Sequence, residues 1–183
     1  MDAAAFVEVV RRNPINDSLI DRLPGLGLPQ CHLVAGCLFQ DVWNARAGLP
    51  AGNAIKDYDV FYFDPDTSWD AEDGVIRRVN AAFADLEAPI EVRNQARVHL
   101  WYQDRFGADY PRLQSARDGI DRYLIECTCV GIEVATGELY APNGFDDLER
   151  GVLRINPRNP QPDGFAEKTA SHLARWPWLT IDA

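Results

Sequence analysis

The chain has 183 residues, 46% of them hydrophobic, the size and composition of one domain with a sizeable core. Its 28 acidic residues outnumber 18 basic ones for a net charge of −10, which disfavours a long nucleic-acid backbone but leaves room for a small anion bridged by metal ions. No apolar run approaches the ~20 residues that cross a bilayer, and Met1 is followed by Asp2 rather than by a basic stretch, so the expectation is a cytoplasmic protein with no membrane partner.

The four cysteines, Cys31, Cys37, Cys127 and Cys129, form no C-x-x-C pair, and without a secretion signal they read as buried reduced thiols. A zinc site built from all four would require two separated pairs to converge. No charge block, internal repeat or low-complexity tract marks a disordered arm or a solenoid.

Phe6, Val9 and Val10 fall at helical spacing within residues 3 to 11, and Asn16, Asp17 or Ser18 caps a second short helix carrying Leu19, Ile20 and Leu23. The Pro- and Gly-rich stretch 23–29 then breaks the chain before a short apolar strand, Cys31 to Ala35, that ends at Gly36. Helical spacing returns from Cys37 to Ala47. Residues 57 to 63, Asp-Tyr-Asp-Val-Phe-Tyr-Phe, read as a strand whose later half is apolar on both faces, as in an inner strand. Ser68 or Asp70 caps the next helix, in which Val75, Ile76, Val79, Ala82, Phe83 and Leu86 recur at three- and four-residue intervals.

Pro89 introduces a strand near Ile90 to Asn94, followed by a helix from Gln95 to Phe106. Ser115 caps a helix through Tyr123, Leu124 to Val134 reads as a strand entering the turn Ala135-Thr136-Gly137, and Phe165 to Trp176 is an amphipathic helix stopped by Pro177. Strands alternate with helices too irregularly for a large doubly wound sheet. The expected fold class is α+β, a small mixed sheet flanked by helices, with a core over about 31–134 and helical elaborations at both ends. Trp43, Trp101, Trp176 and Trp178 are read as core residues, with stacking of one of them on a planar base as the alternative.

Asp57 and Asp59 stand two apart on a strand, so both side chains leave the same face of the sheet. Two like charges ~4 Å apart repel by about 4 kcal/mol at an effective dielectric of ~20, so the pair needs a cation, a shared proton or full solvation. Glu91 brings a third carboxylate to the same edge if its strand is a neighbour. Three carboxylates without a histidine set suit the hard ions Mg²⁺ or Mn²⁺. Taken alone, an Asp-x-Asp at a strand start also fits solvated surface acids.

Gly36 ends a strand and Cys37 opens a helix, so this turn can offer free N–H groups and the positive end of a helix dipole to a phosphate. Arg97 is a candidate bidentate donor to a triphosphate. His99 is a candidate substrate contact, set against the alternative of a hydrogen-bonded core histidine.

The turn, the Asp57-Tyr58-Asp59-Val60-Phe61 strand and the later Glu91 strand together resemble the nucleotidyltransferase superfamily, whose pattern is a Gly-Gly or Gly-Ser turn, an Asp-x-Asp strand and a third strand acid. The likeness is closer to a small bacterial branch of uncharacterised nucleotidyltransferase-like proteins. It is carried by Ala35-Gly36, Gln40-Asp41-Val42-Trp43-Asn44, Lys56 to Asp64, Glu91 to His99, Ala141-Pro142-Asn143-Gly144 and Arg175-Trp176-Pro177-Trp178-Leu179, and so runs from about Cys31 to Leu179. Cys37 departs from the pattern, standing where Ser or Gly is usual, and the gap from Gly36 to Asp57 is longer than usual.

The resemblance implies two-metal transfer of a nucleotidyl group from a nucleoside triphosphate, with Asp57, Asp59 and Glu91 as metal ligands and catalytic acids and Gly36, Cys37, Arg97 and His99 at the substrate. The acceptor is a small molecule, a protein or an RNA end. Two alternatives come from other classes: a nucleotide- or metal-binding module without turnover, and a protein-interaction domain whose acids are solvated.

Overall fold

The computed structural model describes residues 1–182. Capping side chains start its first two helices. Asp2 accepts the Ala5 N–H at 2.8 Å to open α1 (Ala3–Arg11), and Asn13 accepts the Ile15 N–H at 3.0 Å to open α2 (Pro14–Arg22). The second helix thus begins earlier than expected, because Asn13-Pro14 supplies both the cap and a first residue whose φ is already helical. Phe6 and Val10 of α1 and Leu19 and Ile20 of α2 enter the core.

The centre of the fold is β1 (His32–Val34), α3 (Gly36–Arg46), β2 (Tyr58–Tyr62), α4 (Trp69–Ala82) and β3 (Ile90–Asn94), with α4 capped by Ser68. After a short helix α5 (Tyr102–Phe106) and α6 (Ala116–Ile120) come β4 (Gly131–Glu133), β5 (Leu139–Tyr140), α7 (Asp146–Arg150), β6 (Val152–Leu153), α8 (Pro162–Arg175) and β7 (Thr180–Ile181). Five strands form one sheet in the order β3-β2-β1-β4-β5, parallel between β2 and β3 and antiparallel elsewhere; β6 and β7 make a separate parallel pair. This is the expected small mixed sheet flanked by helices.

Alternation along the strands gives the sheet two unlike faces. Leu33, Val60, Val92 and Ile132 point into the main core beneath α1 to α4, with Tyr58 and Tyr62 beside Val60. Val34, Asp59, Phe61 and Glu91 are on the opposite face, of which α6 covers only part, through Ile120. All four cysteines are buried free thiols, and burial pushes those of Cys31, Cys127 and Cys129 up to about 12. Trp43 and Trp176 are core residues whose indole N–H groups donate to Leu148 O and Asn44 Oδ1. Among the described residues no helix is long and apolar enough to cross a membrane.

Two expected elements are broken. The helix from Gln95 to Phe106 is a 3₁₀ turn over Gln95–Leu100 followed by α5, with Trp101 between them. Asn94 explains the tight start: its side chain accepts the Ala96 N–H at 3.1 Å while also bonding Asp64 and Asp66, which pins the chain as it leaves β3. The strand from Leu124 to Val134 shrinks to β4, because residues Glu126–Thr128 form a 3₁₀ turn in which Thr128 Oγ1 donates to Ile125 O at 2.7 Å. Ser115 does cap α6, through a capping box with Asp118, but the helix stops at Ile120.

Candidate active site

Residue parity on β2 decides what faces the partly covered side of the sheet. With Tyr58, Val60 and Tyr62 drawn into the core, Asp59 and Phe61 project from the other face, and Asp57 precedes them at the same parity. β3 runs parallel with Asp59 opposite Glu91 and Phe61 opposite Arg93. Glu91 is therefore one inter-strand spacing, about 4.8 Å, from Asp59 along the backbone. All three acids line one cleft of about 1040 Å³, bounded on the far side by α8. A second cavity of about 360 Å³, between Phe63, Pro65 and Leu113, holds none of them.

On the other flank Val34 pairs with Asp59, and the chain turns directly from β1 into α3 beside the acids. The turn is strained. Ala35 has φ 64° and ψ −141°, a region costing about 1–3 kcal/mol for a residue with a side chain. No side chain caps α3, and the first N–H groups of a helix have no intrahelical acceptor, so the Ala35-Gly36 turn presents donors and the helix dipole at the cleft wall. A Cβ at Gly36 would come 2.5 Å from Gln40 Nε2, so any larger residue would displace the Gln40 amide. Gln40 in turn accepts from Arg175 Nη1 at 3.0 Å, linking α3 to α8.

Charge crowding leaves its mark on Asp59. Burial, then the charges of Asp57 and Glu91, raise its carboxyl from the usual 3.8 to about 7, while Lys168 and Arg93 pull it down in part. Arg93 Nη2 lies 3.3 Å from Glu91 Oε2. Arg175 is held 3.2 Å from Ala54 O, and burial lowers its pKa against the opposing effect of Asp57.

Asp41, 1% exposed, steadies the loop before Asp57. It accepts from Gly52 N at 2.6 Å, Asn13 Nδ2 at 2.9 Å and Asn16 Nδ2 at 3.1 Å.

The donor set of Asp57, Asp59 and Glu91 is all carboxylate, the chemistry of Mg²⁺ or Mn²⁺ sites, and a cation would relieve the repulsion that raises Asp59. Among the described residues no three His, Cys, Asp or Glu side chains stand close enough to hold an ion as they are. The residues present fit the group by chemistry, on a shared face, rather than as a closed ligand cage.

Three of the residues expected at the substrate are placed elsewhere. The Cys37 side chain turns inward, its thiol donating to Val34 O at 3.1 Å, and burial raises its pKa well above the usual value. Arg97 is buried away from the cleft: Nη1 donates to Thr67 O at 2.8 Å and Nε lies 3.0 Å from Glu72 Oε2, close but off the line of a hydrogen bond. The 3₁₀ turn carries it back toward α4. His99 is also outside the cleft lining, with its Nδ1 buried and unpartnered.

The sequence reading missed the contribution of α8, from which Lys168, Ser171 and His172 line the cleft opposite the acids, with Arg175 one turn beyond. The only signal was a polar stripe at helical spacing, which a solvated face produces equally.

A sequence-family model described as nucleotidyltransferase matches residues 21–181. Among solved structures, an NMR structure reported to reveal a CCA-adding enzyme head domain superposes with a TM-score of 0.75, covering 99% of this chain and 96% of that chain at 24% identity. The likeness shows a shared fold. No curated protein matches the chain significantly.

Proposed function

Because the chain belongs to the nucleotidyltransferase family, we infer that it transfers a nucleoside monophosphate from a nucleoside triphosphate to an acceptor hydroxyl with release of pyrophosphate, using divalent metal. One observation carries this reading: three carboxylates share a sheet face directly beside an uncapped helix N-terminus, in a cleft large enough for a nucleotide.

Asp57, Asp59 and Glu91 would hold Mg²⁺ or Mn²⁺, which supplies charge neutralisation for the triphosphate and activation of the acceptor hydroxyl. The turn at Ala35-Gly36 orients phosphate oxygens through its backbone N–H groups. Lys168 balances the leaving pyrophosphate's charge from across the cleft. Glu91 either completes the ligand set or takes the acceptor proton at its carboxylate. Gln40 and Arg175 fix α3 against α8, so the donors on both walls keep their positions as the substrate enters.

The acceptor is a small molecule, a protein or an RNA end; the net charge of −10 makes a long RNA body the poorest fit. The test is pyrophosphate release from each of the four nucleoside triphosphates with Mg²⁺ or Mn²⁺ in cell extract, with label followed into the acceptor. Asp59→Asn abolishes the release while the protein remains folded. Undiminished release by that variant refutes the assignment of the acids, and metal-dependent binding without any release leaves a nucleotide-binding protein without turnover.

A further inference from the structure

One side chain on the α3 wall of the cleft has a hydrogen-bonding capacity that the fold leaves unused. Of the α3 residues that line the cleft, Gly36, Phe39 and Gln40, only Gln40 carries a polar side chain; the Cys37 thiol is turned inward onto Val34 O. Gln40 stands one helical turn after Gly36, and helical side chains lean toward the N-terminus, so its amide lies over the uncapped Ala35-Gly36 turn. Its Nε2 is only 2.5 Å from where a Cβ of residue 36 would be.

The two ends of this amide are told apart by their partners. Arg175 Nη1 lies 3.0 Å from Gln40 Oε1, and a guanidinium only donates, so the oxygen has to face Arg175 and the nitrogen has to face the turn. Arg175 is itself held from four sides: Nη1 also donates to Ala54 O at 3.2 Å, Nε to Ser171 O at 3.3 Å and Nη2 to His172 Nδ1 at 2.9 Å, and the guanidinium lies 4.5 Å over the Trp176 ring. Turning the amide over would set its NH₂ group against this fixed donor. Gln40 is 9% exposed, and its Nε2 has no acceptor among the described residues. A side chain that is nine-tenths buried normally has its donors paired, and an acceptor supplied by a ligand would complete this one.

We propose that Gln40 contacts the substrate directly, its Nε2 donating to a triphosphate oxygen seated on the Ala35-Gly36 turn, with Arg175 as the positioning residue that holds the amide in this orientation. The backbone N–H groups and the helix dipole attract an anion to the turn, and the fixed amide adds a side-chain donor that selects the direction from which an oxygen arrives. Its neutrality matters beside Asp57, Asp59 and Glu91. A lysine or arginine in its place would pair with those carboxylates and compete with a metal ion for them, whereas an amide adds a hydrogen bond to phosphate and no charge. The assignment rests on the nucleotidyl-transfer reading of the adjoining acids.

The experiment is calorimetric titration of the full chain with Mn²⁺ alone, and with inorganic tripolyphosphate in saturating Mn²⁺. Gln40→Met keeps the length of the side chain and removes the donor, and it weakens tripolyphosphate about tenfold, the usual effect of one hydrogen bond to a charged group. Gln40→Glu keeps an oxygen for Arg175 and puts a second oxygen in place of Nε2, so it preserves or raises the melting temperature and yet weakens tripolyphosphate at least as much. Neither variant binds Mn²⁺ more weakly than wild type. A residue that merely spaces α3 from α8 would behave in the opposite way, with glutamate restoring tripolyphosphate affinity. If Gln40→Met fails to fold by circular dichroism, Gln40→Glu carries the test alone.

The proposal is overturned if a folded Gln40→Met or Gln40→Glu variant binds tripolyphosphate as tightly as wild type, a result that leaves the transfer reading standing. It is also overturned, together with that reading, if wild type binds Mn²⁺ but no tripolyphosphate. Tripolyphosphate binding that depends on Gln40, without pyrophosphate release from any of the four nucleoside triphosphates, supports the contact and refutes the transfer reading instead.

Discussion

Replacing Asp59 by asparagine should stabilise the metal-free protein at pH 8 and leave it nearly unchanged at pH 4. The carboxyl is raised from 3.8 to about 7 by burial and by Asp57 and Glu91. A shift of about three units corresponds to about 4 kcal/mol between protonation states, and solvent in the cleft screens this to about 2 kcal/mol. The folded state binds this proton more tightly than the unfolded state. Its contribution to stability is therefore fully present below about pH 4 and is lost as pH rises through about 7. Asparagine is neutral throughout and does not suffer the loss.

Urea unfolding of wild type and Asp59→Asn in chelator, from pH 4 to pH 8, should show a gap opening from near zero to about 2 kcal/mol. That gap equals about 4–8 °C in Tm for a chain of this size. A gap that does not change with pH, or a wild type more stable than the variant at pH 8, would refute the argument that crowding raises Asp59.

With divalent metal the order reverses. Mg²⁺ or Mn²⁺ raises the wild-type Tm, and a nucleoside triphosphate raises it further only when metal is present, by about 2.7 kcal/mol at a hundred times Kd; both shifts vanish in an Asp57→Asn, Asp59→Asn double variant by differential scanning fluorimetry. Arg97→Lys destabilises the fold by about 1–3 kcal/mol in urea, because lysine cannot serve Glu72 and Thr67 O together, while nucleotide affinity measured by calorimetry remains within twofold. Asp41→Ala strands the Gly52 N–H and removes one hydrogen bond each from Asn13 and Asn16, which keep Tyr58 Oη and Cys37 O as acceptors, and costs about 1–3 kcal/mol in chemical denaturation.

The shared face of the three acids was legible because strand parity is a local rule: Asp57 and Asp59 share a face whatever the fold around them, and Pro89 marked where the next strand began. The glycine at the turn also pointed to the β1–α3 junction, though the strained residue is Ala35, which nothing in its side chain announces. Arg97 is close to Glu91 along the chain but not in space. A 3₁₀ turn advances 120° per residue rather than 100°, and the turn after Asn94 sends Arg97 to Glu72 of α4. α8 was recognised as a helix but not as a wall of the cleft, since only long-range packing distinguishes a polar stripe facing a substrate from one facing solvent.

The parallel register of β2 and β3 sets a limit on how this chain can vary. Glu91 stands opposite Asp59 through main-chain pairing, and the neighbour of Glu91 on β3, Val92, packs in the core. Inserting or deleting one residue in the connection 83–89 and absorbing it by a slip of β3 would turn Val92 to the cleft and bury Glu91 among apolar side chains. A slip of two would restore the faces but move the third acid along the strand by about 6.6 Å, away from its partner. Among descendants of this chain, the connection after α4 should therefore be free to change its letters but not their number, unless a bulge in the loop absorbs the difference before Ile90.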